Sequence, residues 1–456
     1  MSGPVEEETS VAGPALGQTA DAPRRRTPLI ALFVAQFFSL GGNAIALVAI
    51  PIIALQQTGS PLAAGVAGVF ATVPLVIGGA FGGVLVDRFG YRTSSIVADV
   101  ASAATVLAVP VLHATVGLPF GVLLGLVFLG GLLDPPGDTA KTVIMPRLAE
   151  LARTPLARAA GAQSAVQRTA SMVGAGSAGA LIALAGPMPA LLVDCAGFVL
   201  SALLVLGLVP RRIAATAVDP DADPAGAVPG GFVAGIRFIA RSPLLRAIVL
   251  LVTLTNAIDA AGMTVLKPVY ATQVLGDPAL LGFMVGCFAA GALTGSAVFG
   301  AIGHRWSGRI MFATCFVLAG APPYTAMALG AEPPVLLPVL VLSGLAAGAI
   351  NPMIATAMYG LVPDGVKARV FGAMTAGVTA TMPLGAFAGG LAVQQIGITA
   401  TLAICAGLYV VIAGSPLVLR SFAGLSDART GAGESNGSAD PGAEVDAGGG
   451  TAAAAG

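Results

Sequence analysis

The chain has 456 residues, of which 56% are hydrophobic and 10% charged; 22 basic and 22 acidic side chains cancel, and mean hydropathy is +0.90. A water-soluble domain of this length needs far more charge to cover its surface, so a soluble enzyme or nucleic-acid-binding protein is excluded. Apolar runs of about 20 residues, enough to cross a bilayer as helix, recur along the chain, and the short alternating strands of a membrane β-barrel are absent.

Residues 1–27 are acidic and end in Arg24-Arg25-Arg26, without a basic start or a cleavage site, and are expected to be a disordered cytoplasmic N-terminus rather than a signal peptide. Six spans follow within 28–209, at about 28–55, 60–84, 93–112, 118–143, 162–185 and 189–209. Asn43 lies near the middle of the first span. The second and third are joined by Gly83-Val-Leu-Val-Asp-Arg-Phe-Gly-Tyr-Arg92. In that loop Gly83 and Gly90 permit a tight turn, Asp87 can cap a helix N-terminus, and Arg88 and Arg92 can pair with carboxylates or lipid phosphates. Asp99 sits two turns inside the third span, and Asp134-Pro-Pro-Gly-Asp138 lies toward the cytoplasmic end of the fourth, where a broken helix can form a gate. Arg168, in the fifth span, can pair with Asp99, Asp134 or Asp138; Asp194, in the sixth, reads as structural.

Residues 210–242 form a linker that is rich in Asp, Pro and Gly and ends in a basic amphipathic stretch, Phe232 to Arg241. Six more spans occupy 243–420, at about 243–275, 279–302, 310–330, 335–358, 370–395 and 399–420. Charges inside a membrane cost several kcal/mol unless paired or solvated, so each marks a candidate function. Asp259 and the nearby Asn256, two-thirds along the seventh span, are the first candidates for a proton or substrate site; Lys267, two turns further out, can neutralise Asp259 or snorkel to the outer surface. Residues 421–456, rich in Gly, Ala, Asp and Ser, are expected to be a disordered cytoplasmic tail. The four cysteines stand alone in different spans and read as packing residues.

The second half repeats the first. An offset of 217 residues carries Pro51 onto Pro268, Pro61 onto Pro278, Gly83 onto Gly300, Arg88 onto Arg305, Arg92 onto Arg309 and Pro135 onto Pro352. His304 replaces Asp87 in the second loop. After Pro146 the offset becomes 211 and carries Gly174 onto Gly385, Gly179 onto Gly390 and Gly186 onto Gly397. A chain built twice from one hydrophobic unit suits transport by alternating access, in which two halves rock about a site between them. With the N-terminus placed in the cytoplasm, the six outward loops hold no Lys or Arg, which puts both termini inside.

The twelve spans, the two-half repeat and the Gly83–Arg92 loop together resemble the major facilitator superfamily. Ala35-Gln-Phe-Phe-Ser-Leu, Ile50-Pro51 and Thr58-Gly-Ser-Pro61 are similar to its drug- and siderophore-exporting branch, which includes macrolide and enterobactin exporters. The resemblance covers about residues 28–420 and implies an all-α fold of twelve transmembrane helices in two pseudo-symmetric halves. It also implies that the Gly83–Arg92 loop latches the halves in the outward-facing state, with Asp87 near the start of helix eleven, and that helices one, four, seven and ten line the cavity. Two family patterns are missing: an arginine in helix four before Lys141, and a Gly-Pro in helix five, where Gly174-Ala175 stands.

There is no nucleotide-binding Gly-x-x-x-x-Gly-Lys-Ser/Thr loop and no histidine cluster for a metal, so the proton gradient is the expected energy source, with no cofactor. The expected activity is export of a hydrophobic or amphiphilic small molecule by a non-enzymatic, monomeric carrier in a bacterial plasma membrane. A proton-coupled nutrient importer and a siderophore exporter are the alternatives. The expected partners are the substrate, protons and lipid, with no nucleic acid.

Overall fold

The computed structural model describes residues 25–210, 229–302, 308–362 and 367–422, and these are helical throughout, without strands. The N-terminal half comprises α1 (Thr27–Thr58), α2 (Pro61–Phe89), α3 (Tyr91–Thr115), α4 (Phe120–Leu151), α5 (Leu156–Ala185) and α6 (Pro187–Leu208). The short helix α7 (Pro229–Arg241) then leads into α8 (Pro243–Val274), which contains two π-helical turns, Gly262–Leu266 and Tyr270–Val274, on either side of Pro268. The C-terminal half continues with α9 (Leu280–Ile302), α10 (Arg309–Ala328), α11 (Pro333–Leu361), α12 (Lys367–Ile396) and α13 (Ile398–Val418). The expected N-terminal segment through Arg24, linker residues 211–228, His304 in the second loop copy, and the tail from 423 on lie outside the described residues.

Among the described residues, eleven helices are long and apolar enough to cross a membrane. The remaining long helix, α5, is built largely from Gly, Ala and Ser and carries Gln163, Gln167 and Arg168. It trades apolarity for close approach: a Cβ on Gly174 would overlap the Gly41 carbonyl of α1. Helix ends and hydrophobic ends also differ. α4 continues to Leu151 and α5 begins at Leu156, beyond the predicted 143 and 162, because backbone hydrogen bonding carries the helices past the apolar run. α4 runs unbroken through Asp134–Asp138, so the helix break expected there is absent, and α11 is likewise continuous through Asn351–Pro352. The two joints Gly186 and Gly397 match in the repeat, and both take positive φ (90° and 82°), which glycine adopts without strain.

The repeat extends to the packing. α1 lies against α5 and α6, α2 against α4, and α3 against α4 and α6; α8 against α12 and α13, α9 against α11, and α10 against α11 and α13 repeat the scheme. The halves meet along α2 with α12 and α5 with α9, and the two meetings are copies of each other. Gly65 of α2 abuts Gly390 of α12, and a Cβ on Gly282 of α9 would overlap Gly179 of α5. Offsets of 217 and 211 map Gly65 onto Gly282 and Gly179 onto Gly390. Ser60 Oγ adds a 3.1 Å hydrogen bond to Gln394 Oε1. These contacts all lie toward the arginine-free ends of the helices. On the arginine-rich side α7 packs on α12 and α8, with Ile239 buried and Arg237 and Arg241 exposed.

Candidate functional site

Polar groups inside the bundle gather in two places, one in each half. In the C-terminal half Asp259 is exposed and its carboxylate accepts a hydrogen bond from Tyr409 Oη (3.2 Å) and a weaker one from Tyr324 Oη (3.4 Å), whose proton is shared with Ile258 O (3.3 Å). The tyrosines come from α13 and α10, are 3% and 2% exposed, and stand with ring centroids 6.1 Å apart. Glycines make room for both: a Cβ on Gly262 would overlap the Tyr324 hydroxyl, and one on Gly320 the Tyr409 ring. Asn256 turns back on its own helix, donating to Val252 O at 2.8 Å, and so does not reach Asp259. Lys267 makes no direct ion pair with Asp259, though its charge acts on the carboxylate; its ammonium lies 5.4 Å from the centre of the Phe288 ring on α9, a cation–π arrangement.

The N-terminal half holds a denser set. Asp134, Asp138 and Lys141 follow one another on one face of α4 at helical spacing. Asn43 Nδ2 of α1 donates to Asp134 Oδ2 at 2.8 Å. Lys141 Nζ reaches Asp99 Oδ1 of α3 at 2.7 Å, and Ser201 Oγ of α6 donates to Asp99 Oδ2 at 2.7 Å. Lys141 and Asp99 are 0% and 1% exposed, so this ion pair is fully out of water and ties three helices together. Arg168, expected to pair with Asp99, Asp134 or Asp138, is exposed and meets none of them; Lys141 holds Asp99 and Asn43 holds Asp134, while Asp138 keeps a buried oxygen without a partner. Two turns from Ser201 on the same α6, Asp194 is fully buried against Gly42 of α1.

The Gly83–Arg92 segment is mostly helical: α2 runs to Phe89 and α3 starts at Tyr91, so the turn is made at Gly90 alone and Gly83 lies within α2, where no turn forms. Gly90 has φ 81° at the entry to α3, and the Arg88 guanidinium lies 5.8 Å from the Phe89 ring centre. Arg92 Nε donates to Val209 O (2.9 Å) and its terminal amine to Leu206 O (2.5 Å), capping the C-terminus of α6, so it binds carbonyls where carboxylates or lipid phosphates were expected. In the second copy Arg309 donates to Pro416 O and Leu417 O at the C-terminus of α13. The surroundings of Gly83 and the side chain of Asp87 lie outside the described residues, and so does the expected meeting of Asp87 with helix eleven.

Sequence reasoning passed over Tyr324, Tyr409, Ser201 and Lys141 as site residues. The spacing of Asp134, Asp138 and Lys141 was a usable signal for the last; the tyrosines are distant in sequence and gave none. A further apolar groove of about 490 Å³, lined by Val317, Ala321, Pro322, Leu329 and Val335 among others, lies within the C-terminal half between α10 and α11.

A sequence model of transmembrane secretion effectors matches residues 18–429, nearly the whole membrane region and its margins. The chain belongs to the transmembrane secretion effector family. This places it within the major facilitator superfamily, in agreement with the resemblance seen in the Gly83–Arg92 loop, and makes it a carrier rather than an enzyme. It is similar to the multidrug efflux pump Tap of Mycolicibacterium fortuitum, 30% identical over 380 residues, which cover 83% of this chain and 92% of that one. Among solved structures, the nucleoside transporter NupG superposes with a TM-score of 0.70 at 13% identity, over 85% of this chain and 98% of NupG. A bacterial homologue of the iron transporter ferroportin in an inward-facing state gives 0.64 at 15% identity, over 88% of this chain and all of that one. Both structural likenesses concern the fold: twelve membrane helices in two halves.

Proposed function

We propose that this chain exports hydrophobic or amphiphilic small molecules, such as drugs, antibiotics or natural products, from the cytoplasm by proton antiport and alternating access. The observation that carries the reading is that the halves close at their arginine-free ends through a contact made twice. With the arginine-rich ends in the cytoplasm, substrate enters from inside and leaves when the paired glycine contacts part. The likeness to a protein named as a multidrug efflux pump supports the direction and the substrate class.

In this reading the protein is a monomer of the bacterial plasma membrane with both termini in the cytoplasm. It uses the proton gradient in place of a nucleotide or cofactor. Asp259, held by two tyrosines, is the first proton or substrate carboxylate, with Asn256 one turn below; Asn43, Asp99 and Lys141 supply a second polar centre. The test is efflux of a fluorescent hydrophobic dye from cells expressing the wild type or Asp259→Asn, with and without an uncoupler. Uncoupler-sensitive efflux that is lost in the variant is expected. Efflux that ignores the uncoupler sinks the antiport reading, and a wild type that accumulates dye sinks the export reading.

A further inference from the structure

Among the described residues, Asp194 is the carboxyl group whose two oxygens are both buried without a hydrogen-bond partner, and the residue is 0% exposed. It projects from α6 onto α1 at Gly42, where a Cβ would overlap Asp194 Oδ1 and lie 3.1 Å from Asp194 Cα. No neighbouring helix offers it a counter-charge. α1 carries no ionisable side chain from Thr27 to Thr58. On α3, Asp99 is taken by Lys141 and Ser201, Arg92 is spent on the end of α6, and His113 is exposed. On α5, Arg168 is exposed, and the adjacent Cys195 thiol donates to Ala103 O. A carboxylate anion with neither donor nor cation is far costlier at such a position than the neutral acid.

The repeat gives this crossing a partner. Gly42 maps onto Asp259 by the 217-residue offset, and Asp194 onto Cys405 by the 211-residue offset. Each half therefore holds one carboxyl group at the crossing of its first and sixth helices, contributed by α6 in one half and by α8 in the other. Asp259 is exposed and hydrogen-bonded to two tyrosines; Asp194 is sealed under the α1 backbone.

We propose that Asp194 is a proton-binding site of the N-terminal half, closed over by Gly42 in this conformation. The ligand is a single proton, taken from water and returned to water when the α1–α6 crossing opens, and no other reactant is involved. The site rests on packing alone, whereas its use in driving export rests on the antiport reading above.

The test is infrared spectroscopy of the purified full chain in lipid nanodiscs at neutral pH. The wild type is expected to show the carbonyl stretch of a protonated carboxylic acid without a hydrogen bond, and Asp194→Asn is expected to lose that component. An unchanged spectrum in Asp194→Asn overturns the proposal. If that variant does not fold, Gly42→Ala keeps the carboxyl while crowding it, and the band is expected to shift; an unmoved band overturns the proposal. Because the readout needs no substrate, the band can be present and lost on mutation even where dye efflux proves insensitive to an uncoupler. That result supports the proton site and removes only the antiport reading.

Discussion

In the N-terminal half the carboxyl at the crossing of first and sixth helices is enclosed and unpartnered, and a buried Asp99–Lys141 pair meets the same helix two turns away at Ser201. In the C-terminal half the equivalent carboxyl is exposed, held by tyrosines, and the nearest lysine on its helix faces a phenylalanine. The glycine contacts that bring the halves together show no such divergence, since Gly65 with Gly390 and Gly282 with Gly179 are the same contact made twice. The Ser60–Gln394 hydrogen bond beside them lacks a copy, with Asp277 and Ala183 at the matching positions. The moving framework has stayed symmetric because backbone-to-backbone approach tolerates no side chain in either copy. The charged groups are under no such restriction, and there the halves have taken different chemistry.

The sharpest way to break this comparison is to remove one lysine from each half. Lys141→Met leaves Asp99 buried with only Ser201, and loss of one partner from a buried pair costs about 3–5 kcal/mol. Lys267→Met removes a cation over a ring, worth about 0.5–2 kcal/mol. Thermal unfolding in detergent should therefore show a much larger drop for Lys141→Met; equal drops would mean that the N-terminal pair is not the tighter structure described above.

The symmetric framework predicts the opposite pattern. Gly282→Leu and Gly65→Leu each force a side chain into one copy of the inter-half contact, and overpacking of this kind costs about 1–3 kcal/mol. Both should favour opening at the arginine-free end to a similar extent, measured as increased thiol labelling of a cysteine placed at Ser60. A response to one substitution and not the other would end the claim that the two contacts are equivalent.

Much of this framework was legible in the sequence. Hydropathy gave the span positions and the 217- and 211-residue offsets gave the two halves, because both report on long stretches of chain. The polar sites were legible only in part. Asp259, Asp99 and Asn43 stand out as polar residues in apolar runs, but their partners depend on helix rotation, which hydropathy does not encode. Arg168 was therefore matched to aspartates it does not meet, two of which Lys141 and Asn43 hold, and Lys267 acts on Asp259 through its charge without contact. Tyr324 and Tyr409 went unnoticed because their role depends on Gly262 and Gly320, whose missing side chains look like ordinary helix packing until the rings are placed.

The tyrosines offer a smaller perturbation specific to one half. Tyr324→Phe with Tyr409→Phe removes both donors to Asp259 while keeping the rings over their glycines. At 3.2 and 3.4 Å these are long hydrogen bonds, so about 1 kcal/mol each is expected. Dye efflux should change its dependence on pH in the double variant, with little change in unfolding temperature beyond that amount. A pH profile identical to wild type would assign the tyrosines a packing role only.

The smallest effect tests whether symmetry reaches the loops. Arg92 and Arg309 are matched by the repeat, and each caps the last carbonyls of the final helix in its own half. A cation at a helix C-terminus contributes about 0.3–1 kcal/mol when exposed and up to about 2 kcal/mol when partly buried. Each guanidinium spans two carbonyls with a planar fork, which a lysine cannot reproduce. Arg92→Lys and Arg309→Lys should thus each keep the charge yet lose part of the cap, seen as faster amide hydrogen exchange at the last turn of α6 or α13 respectively. Exchange that quickens only in the substituted half would show that the arginines act within halves. Exchange that quickens in both would mean the loops reach across the molecule, and the separation between a symmetric framework and two independent polar interiors would fail.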